Sequence, residues 1–314
     1  MTNPVLAFVF PGQGSQQIGM LAEAAQAFPE IGATFSEASS VLGYDLWDLC
    51  QNGAQEDINL TERTQPLLLT SSVALYRAWL SQGGVTPARM AGHSLGEWSA
   101  LVCAGVLAFE DAVRLVRERG RLMQEAVPAG EGAMAAVIGL DDQVVEASCA
   151  QAAQGEVVAA VNYNSPGQVV IAGSAGAVER AIEACKAAGA KRALPLPVSA
   201  PFHTELMRPA AEKLAPQIEA TVFHAPETPV IHNVHAKPES DPSAIKALMI
   251  EQIYSPVRWT ACVQAMAAAG TSQLVECGPG KVLAGLAKRI DRGLTAVNIE
   301  MPAQLSEAVI STAK

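Results

Sequence analysis

Aromatic side chains make up only 5% of the 314 residues, and the 21 Lys and Arg are outnumbered by 31 Asp and Glu. A nucleic-acid surface draws on basic excess and on rings that stack with bases, so a chain-wide footprint of that kind is excluded. Long apolar runs are also missing. The longest, residues 98–109, is interrupted by Ser99 and falls far short of the roughly 20 residues that cross a bilayer. No basic stretch precedes the short apolar run at 5–10, which therefore does not read as a signal peptide. The six cysteines are scattered without Cys-x-x-Cys spacing, and we expect reduced thiols in a cytoplasmic protein. His232 and His235 form the one close histidine pair, in a Pro-flanked segment with no Cys or acid beside them. They read as ordinary loop histidines, and no metal is expected.

What is present suits a compact globular enzyme: half the residues are hydrophobic and 17% are charged. Length sets a prior of about two domains. Strand-like apolar runs alternate with Ala-rich helical stretches, the pattern of an α/β protein with a mainly parallel sheet. Helical patterning fills 18–51, 63–82, 95–105 and 109–127 after a first strand at 5–10. Between 130 and 197 the rhythm becomes β-α-β-β-α-β, the ferredoxin-like arrangement. Alternation then resumes, with strands at 229–232 and 273–277 and a last helix at 281–291. The expected organisation is a large α/β domain from 1–129 and 198–314, with a small domain, 130–197, inserted into it.

Chemistry concentrates at Gly92-His93-Ser94-Leu95-Gly96, a G-x-S-x-G sequence after a short strand and before an apolar helix. In a nucleophile elbow the turn is too tight for flanking side chains and lifts the serine hydroxyl clear of the sheet. The helix N-terminus that follows offers N–H groups to an oxyanion. Ser94 is the candidate nucleophile; the alternative is a Gly-rich turn that it merely caps. Gly12-Gln13-Gly14-Ser15 has Gln17 where a dinucleotide fingerprint needs glycine, and no P-loop Lys-Ser/Thr follows. It reads either as a second oxyanion donor or as a tight strand–helix connection.

A nucleophilic serine needs a base. Among five histidines, only His203, in Ser199-Ala200-Pro201-Phe202-His203, occupies a turn-to-helix setting, and His93 adjoins the serine on a turn where neighbours point apart. No acid stands out as a third member. Gln252 closes a helix stopped by Ser255-Pro256, and an end-of-helix carbonyl there can accept the imidazole Nδ1–H. The alternative is a solvated helix-end residue. Arg119 lies about 140° around its helix from the polar face centred on Arg114, amid Leu115, Val116, Leu122 and Met123. A guanidinium on an apolar face needs a partner: an internal carboxylate, or one brought by a substrate.

Phe10-Pro11-Gly12-Gln13-Gly14-Ser15-Gln16, Gly92-His93-Ser94-Leu95-Gly96-Glu97, Arg119-Gly120-x-x-Met123-Gln124 and Pro201-Phe202-His203 together resemble the malonyl-CoA:acyl carrier protein transacylase family. Asn162-x-Asn164-Ser165-Pro166-Gly167-Gln168, Ser255-Pro256-Val257-Arg258-Trp259 and Glu276-x-Gly278-Pro279-Gly280 extend the likeness, in order, over residues 5 to 290. The resemblance implies a hydrolase-like large domain carrying a ferredoxin-like small one. It implies Ser94 as the acylated nucleophile, His203 as base and acid, and Gln252 orienting His203 through its main-chain carbonyl. Gln13 and Leu95 would give oxyanion-hole amides, Arg119 would bind the malonyl carboxylate, and Phe202 would favour malonyl over methylmalonyl. Met123 and Asn164 are further substrate-binding candidates.

The implied substrates are malonyl-CoA and acyl carrier protein bearing phosphopantetheine, with no cofactor. An acidic carrier would dock transiently on a local basic patch of a monomeric enzyme, either Arg114, Arg117 and Arg121 or Lys288, Arg289 and Arg292. A serine hydrolase or thioesterase shares the G-x-S-x-G elbow and is the principal rival. A non-catalytic carrier-binding module is a second.

Overall fold

A computed structural model describes residues 2–198 and 200–313. Its first sheet has β1 (Thr2–Phe10) at the centre, flanked by β2 (Thr86–Gly92) and β8 (Gln273–Glu276), with β7 (Val230–Ile231) and β9 (Thr295–Asn298) at the edges. All its strand pairings are parallel. Parallel sheets are covered on both faces, so a central strand reads as a continuous apolar run. Residues 6–10 are fully buried. Leu6, Phe8 and Phe10 face one core with Trp79 and Trp98, while Ala7 and Val9 face another with Trp259 and Leu283.

The second sheet contains β3 (Gly132–Ile138), β4 (Val158–Ser165), β5 (Gln168–Ser174) and β6 (Arg192–Pro195) in the order β4-β5-β3-β6, antiparallel throughout. Helices Asp142–Ala153 and Ala175–Ala187 join its strands and share its core. The Ser255-Pro256-Val257-Arg258 segment ties this sheet to the remainder. Tyr163 N–H donates to the Val257 carbonyl at 3.0 Å, and Val257 N–H donates to the Val161 carbonyl at 2.7 Å. The Glu276 motif likewise has a structural task. Its buried carboxylate accepts the N–H groups of Leu283 at 3.1 Å and Ala284 at 2.8 Å, and burial pushes its pKa up to about 7.

Several element bounds differ from expectation. The single helical stretch at 18–51 is broken into Ala22–Ala27, Pro29–Leu42 and Leu46–Asn52. Pro29 can begin a helix but not continue one, and Gly43 adopts φ 78° to end it. Asn164 and Ser165 of the Asn162-x-Asn164-Ser165-Pro166-Gly167-Gln168 motif complete β4. The strand β9 and the helix Pro302–Thr312 follow the last expected element. All six cysteines are free thiols. Among the described residues, no helix is long and apolar enough to cross a membrane.

Candidate active site

Ser94 lies between the end of β2 and the helix Leu95–Cys103, with φ 52° and ψ −110°. A non-glycine residue is strained there, and the surrounding chain must hold it. A Cβ on Gly92 would overlap the Gly96 backbone, and one on Gly96 would overlap the Phe10 carbonyl. Asn233 braces the turn: its Oδ1 accepts the Ser94 N–H at 2.9 Å, and its Nδ2 donates to the Gly92 carbonyl at 2.7 Å.

His203 also has positive φ, at 63°, and is buried. Its Nε2 lies 2.7 Å from Ser94 Oγ, and its Nδ1 lies 2.9 Å from the Gln252 carbonyl oxygen. A carbonyl can only accept, so Nδ1 carries the proton and Nε2 presents its lone pair to the hydroxyl. Burial, reinforced by the Arg119 charge, lowers the His203 pKa to about 3, against the opposing bond to Gln252. The imidazole is therefore neutral at physiological pH. Gln252 is not a solvated helix end: it is buried and opens the 3₁₀ turn Gln252–Tyr254 after the helix Pro242–Glu251.

Arg119 is 1% exposed on the helix Phe109–Glu125. Gly120 has no side chain because a Cβ there would overlap the Thr61 carbonyl, and this close approach brings Arg119 to the helix Thr61–Ser81. One guanidinium nitrogen donates to Gln65 Oε1 at 2.9 Å. The other donates to Gln252 Oε1 at 2.9 Å and reaches Ser94 Oγ at 3.3 Å. Its hydrogen-bond partners are thus carboxamides and a hydroxyl. Burial lowers its pKa to about 10, with Glu97 acting in the opposite sense, so it stays charged.

Ser94, His203, Arg119, Gln13, Leu95, Met123 and Phe202 line one cavity of about 130 Å³. Gly12 lets the Gln13 loop reach the elbow, since a Cβ on Gly12 would overlap the His93 carbonyl. The Gln13 side chain is tethered to Thr61 Oγ1 at 3.4 Å. Asn164 is not among the cavity residues; its Oδ1 lies 2.7 Å from His93 Nε2. Burial pushes the His93 pKa down. Sequence reasoning singled out neither Gln65 nor Asn162, which also line the cavity. It also overlooked the buried Glu97, which accepts from Gln252 Nε2 at 2.7 Å and lies 2.6 Å from His232 Nδ1. His232 is accordingly not an ordinary loop histidine but a fully buried partner of a carboxylate. Glu97 and Asn162 stand inside the recognised motifs, so position alone marked them; Gln65 carried no such signal.

A serine on a strained elbow, hydrogen-bonded to a neutral imidazole beside a buried cation, is equipment for passing an acyl group through a serine ester. The acyl transferase domain matches residues 7–301, and the chain belongs to that family. Within it, the malonyl CoA-acyl carrier protein transacylase of Escherichia coli strain K12 is 60% identical over 303 residues, covering 96% of this chain and 98% of the relative. The crystal structure of an acyl carrier protein S-malonyltransferase from Vibrio cholerae superposes with a TM-score of 0.95 at 58% identity, covering 96% of this chain and 99% of that one. A malonyl-transacylase solved in complex with its type II polyketide synthase acyl-carrier protein gives 0.96 at 56% identity, covering 98% and 99%.

Proposed function

We propose that this acyltransferase moves the malonyl group from malonyl-CoA to the phosphopantetheine thiol of an acyl carrier protein, supplying fatty acid synthesis. One observation carries the reading: a Ser94–His203 pair shares its cavity with an arginine whose bonds go to neutral groups. That arginine has a charge to offer a substrate carboxylate.

Ser94 Oγ attacks the thioester carbonyl as its proton passes to His203 Nε2. The Gln13 and Leu95 N–H groups are assigned to the oxyanion; both residues border the cavity beside Ser94. His203 then protonates the departing thiolate of CoA, leaving a malonyl-serine ester. The carrier's thiol gives its proton to His203, attacks the ester, and leaves with the malonyl group as Ser94 recovers its proton. Throughout, Arg119 holds the malonyl carboxylate and the Gln252 carbonyl keeps the imidazole aligned. Phe202 and Met123 both line the cavity, and Phe202 is assigned to narrow the space beside the malonyl α-carbon. Asn164 acts indirectly, by fixing His93. Every proton transfer uses His203, so the sequence of steps calls for no cofactor.

The strand order β4-β5-β3-β6, with two helices, supports the ferredoxin-like assignment of 130–197 as a small domain set into a hydrolase-like one of 1–129 and 198–314. For carrier docking, Arg114 and Arg121 are engaged by Glu110, Asp111, Glu118 and Glu125. Local pairing favours the patch of Lys288, Arg289 and Arg292, in or just after the helix Val282–Ile290. We assign the working enzyme as a cytoplasmic monomer. Intact-mass spectrometry tests the central reading. Malonyl-CoA should leave a malonyl adduct that Ser94→Ala abolishes, that persists in water, and that carrier thiol discharges. Rapid loss to water would make the protein a thioesterase, and no adduct would leave only a binding module.

A further inference from the structure

The Gln252 side chain has a task separate from that of its main-chain carbonyl. It stands between two buried ionisable groups. On one side is Glu97, 1% exposed, whose Oε1 meets His232 Nδ1 and whose Oε2 accepts from Gln252 Nε2 at 2.7 Å and from the Asn233 N–H at 3.3 Å. On the other is Arg119, which donates to Gln252 Oε1 at 2.9 Å. The amide turns its donor to the carboxylate and its acceptor to the guanidinium, and Nε2 also donates to the Ser94 carbonyl at 2.9 Å. Opposite charges attract strongly at low dielectric. With nothing between them, Glu97 and Arg119 are free to close into a direct ion pair. A guanidinium so paired has less to offer an incoming carboxylate, because charge-assisted bidentate bonds are the strong ones.

We propose that the Gln252 side chain is a positioning residue for acyl selection: its amide holds Glu97 and Arg119 apart, so that the arginine is charge-compensated yet open to a substrate carboxylate. Gln65 completes the arrangement by giving the other guanidinium nitrogen a neutral acceptor. The inference rests on the malonyl reading above, because it concerns how Arg119 is kept ready for that carboxylate.

The test is the ratio of kcat/KM for malonyl-CoA to that for acetyl-CoA. Gln252→Ala removes the amide, clears the space between the two charges and leaves the main-chain carbonyl; Gln252→Ser, small and polar, is the second variant should Ala prevent folding. Residues of one hydrogen-bond network couple strongly, so the ratio should fall about ten-fold or more. Adding Glu97→Gln to the Gln252 variant removes the competing carboxylate, and the ratio should climb back toward wild type. A purely structural Gln252 predicts further loss from the second substitution. An unmoved ratio in the Gln252 variants, or a double variant no more selective than the single, overturns the proposal. Arg119→Ala, run alongside, separates the two levels. A collapsed ratio there with unmoved Gln252 variants sinks the spacer alone, whereas an unmoved ratio there sinks the malonyl reading and the spacer with it.

Discussion

Arg119→Ala is the most informative perturbation of the recognition site. In the free enzyme the guanidinium makes two bonds of 2.9 Å to carboxamide oxygens and a longer contact to Ser94 Oγ. A malonyl carboxylate entering the 130 Å³ cavity leaves bulk water and needs a charged partner there. Truncating one member of such a pair costs about 2–5 kcal/mol, so malonyl kcat/KM should fall roughly 30- to several-thousand-fold. Acetyl transfer should hold or rise, since acetyl-CoA leaves the wild-type cation without a carboxylate. Stability falls in either case: Gln65 and Gln252 lose a donor, each worth about 1–3 kcal/mol if its oxygen stays dry, and Glu97 loses its compensating charge. A lowered Tm therefore does not decide the matter; the ratio of the two specificity constants does. Equal losses for malonyl- and acetyl-CoA would refute the reasoning and make Arg119 a structural cation.

His203→Ala should slow formation of the serine ester by about 10²–10⁴-fold, measured by single-turnover acylation; a few-fold effect would place the base elsewhere. Because the His203 pKa is held near 3, the acylation rate should show no acid limb near 6.5, and Arg119→Ala, by removing one of the lowering charges, should move the limb upward. The same shift makes the unfolded chain bind the extra proton between pH 3 and 6.5, so this group's contribution to stability is complete above 6.5 and is lost as pH falls toward 3, which denaturant melts across that range will follow. Phe202→Ser should relax the preference for malonyl over methylmalonyl-CoA by an amount within about 1–3 kcal/mol in competition assays, and an unchanged ratio would remove Phe202 from selectivity.

The alternation of apolar runs and helical stretches made the two sheets legible, because a central parallel strand such as residues 6–10 leaves an unbroken hydrophobic trace. Arg119 was legible for a related reason: a charge on an apolar stripe stands out at helical period. The Glu97–Gln252–His232 cluster was not. Glu97 lies 135 residues from His232 and 155 from Gln252 in the chain and meets them only when the helix after β2 packs against the segments that follow β7, so no local pattern records the contact. Strand β9 escaped for want of length: four residues with one buried side chain carry too little alternation to separate from a loop.

The hydrogen bond from His203 to the Gln252 carbonyl has an evolutionary side. In many serine enzymes a carboxylate side chain occupies that place, and a single codon change deletes it. A peptide oxygen belongs to the backbone and survives substitution at its own position. Disarming this imidazole therefore takes a change in the path of the chain, such as a lost turn or an inserted residue near the Ser255-Pro256 stop. Genetic screens that replace side chains one at a time will find position 252 through its amide and will pass over its carbonyl.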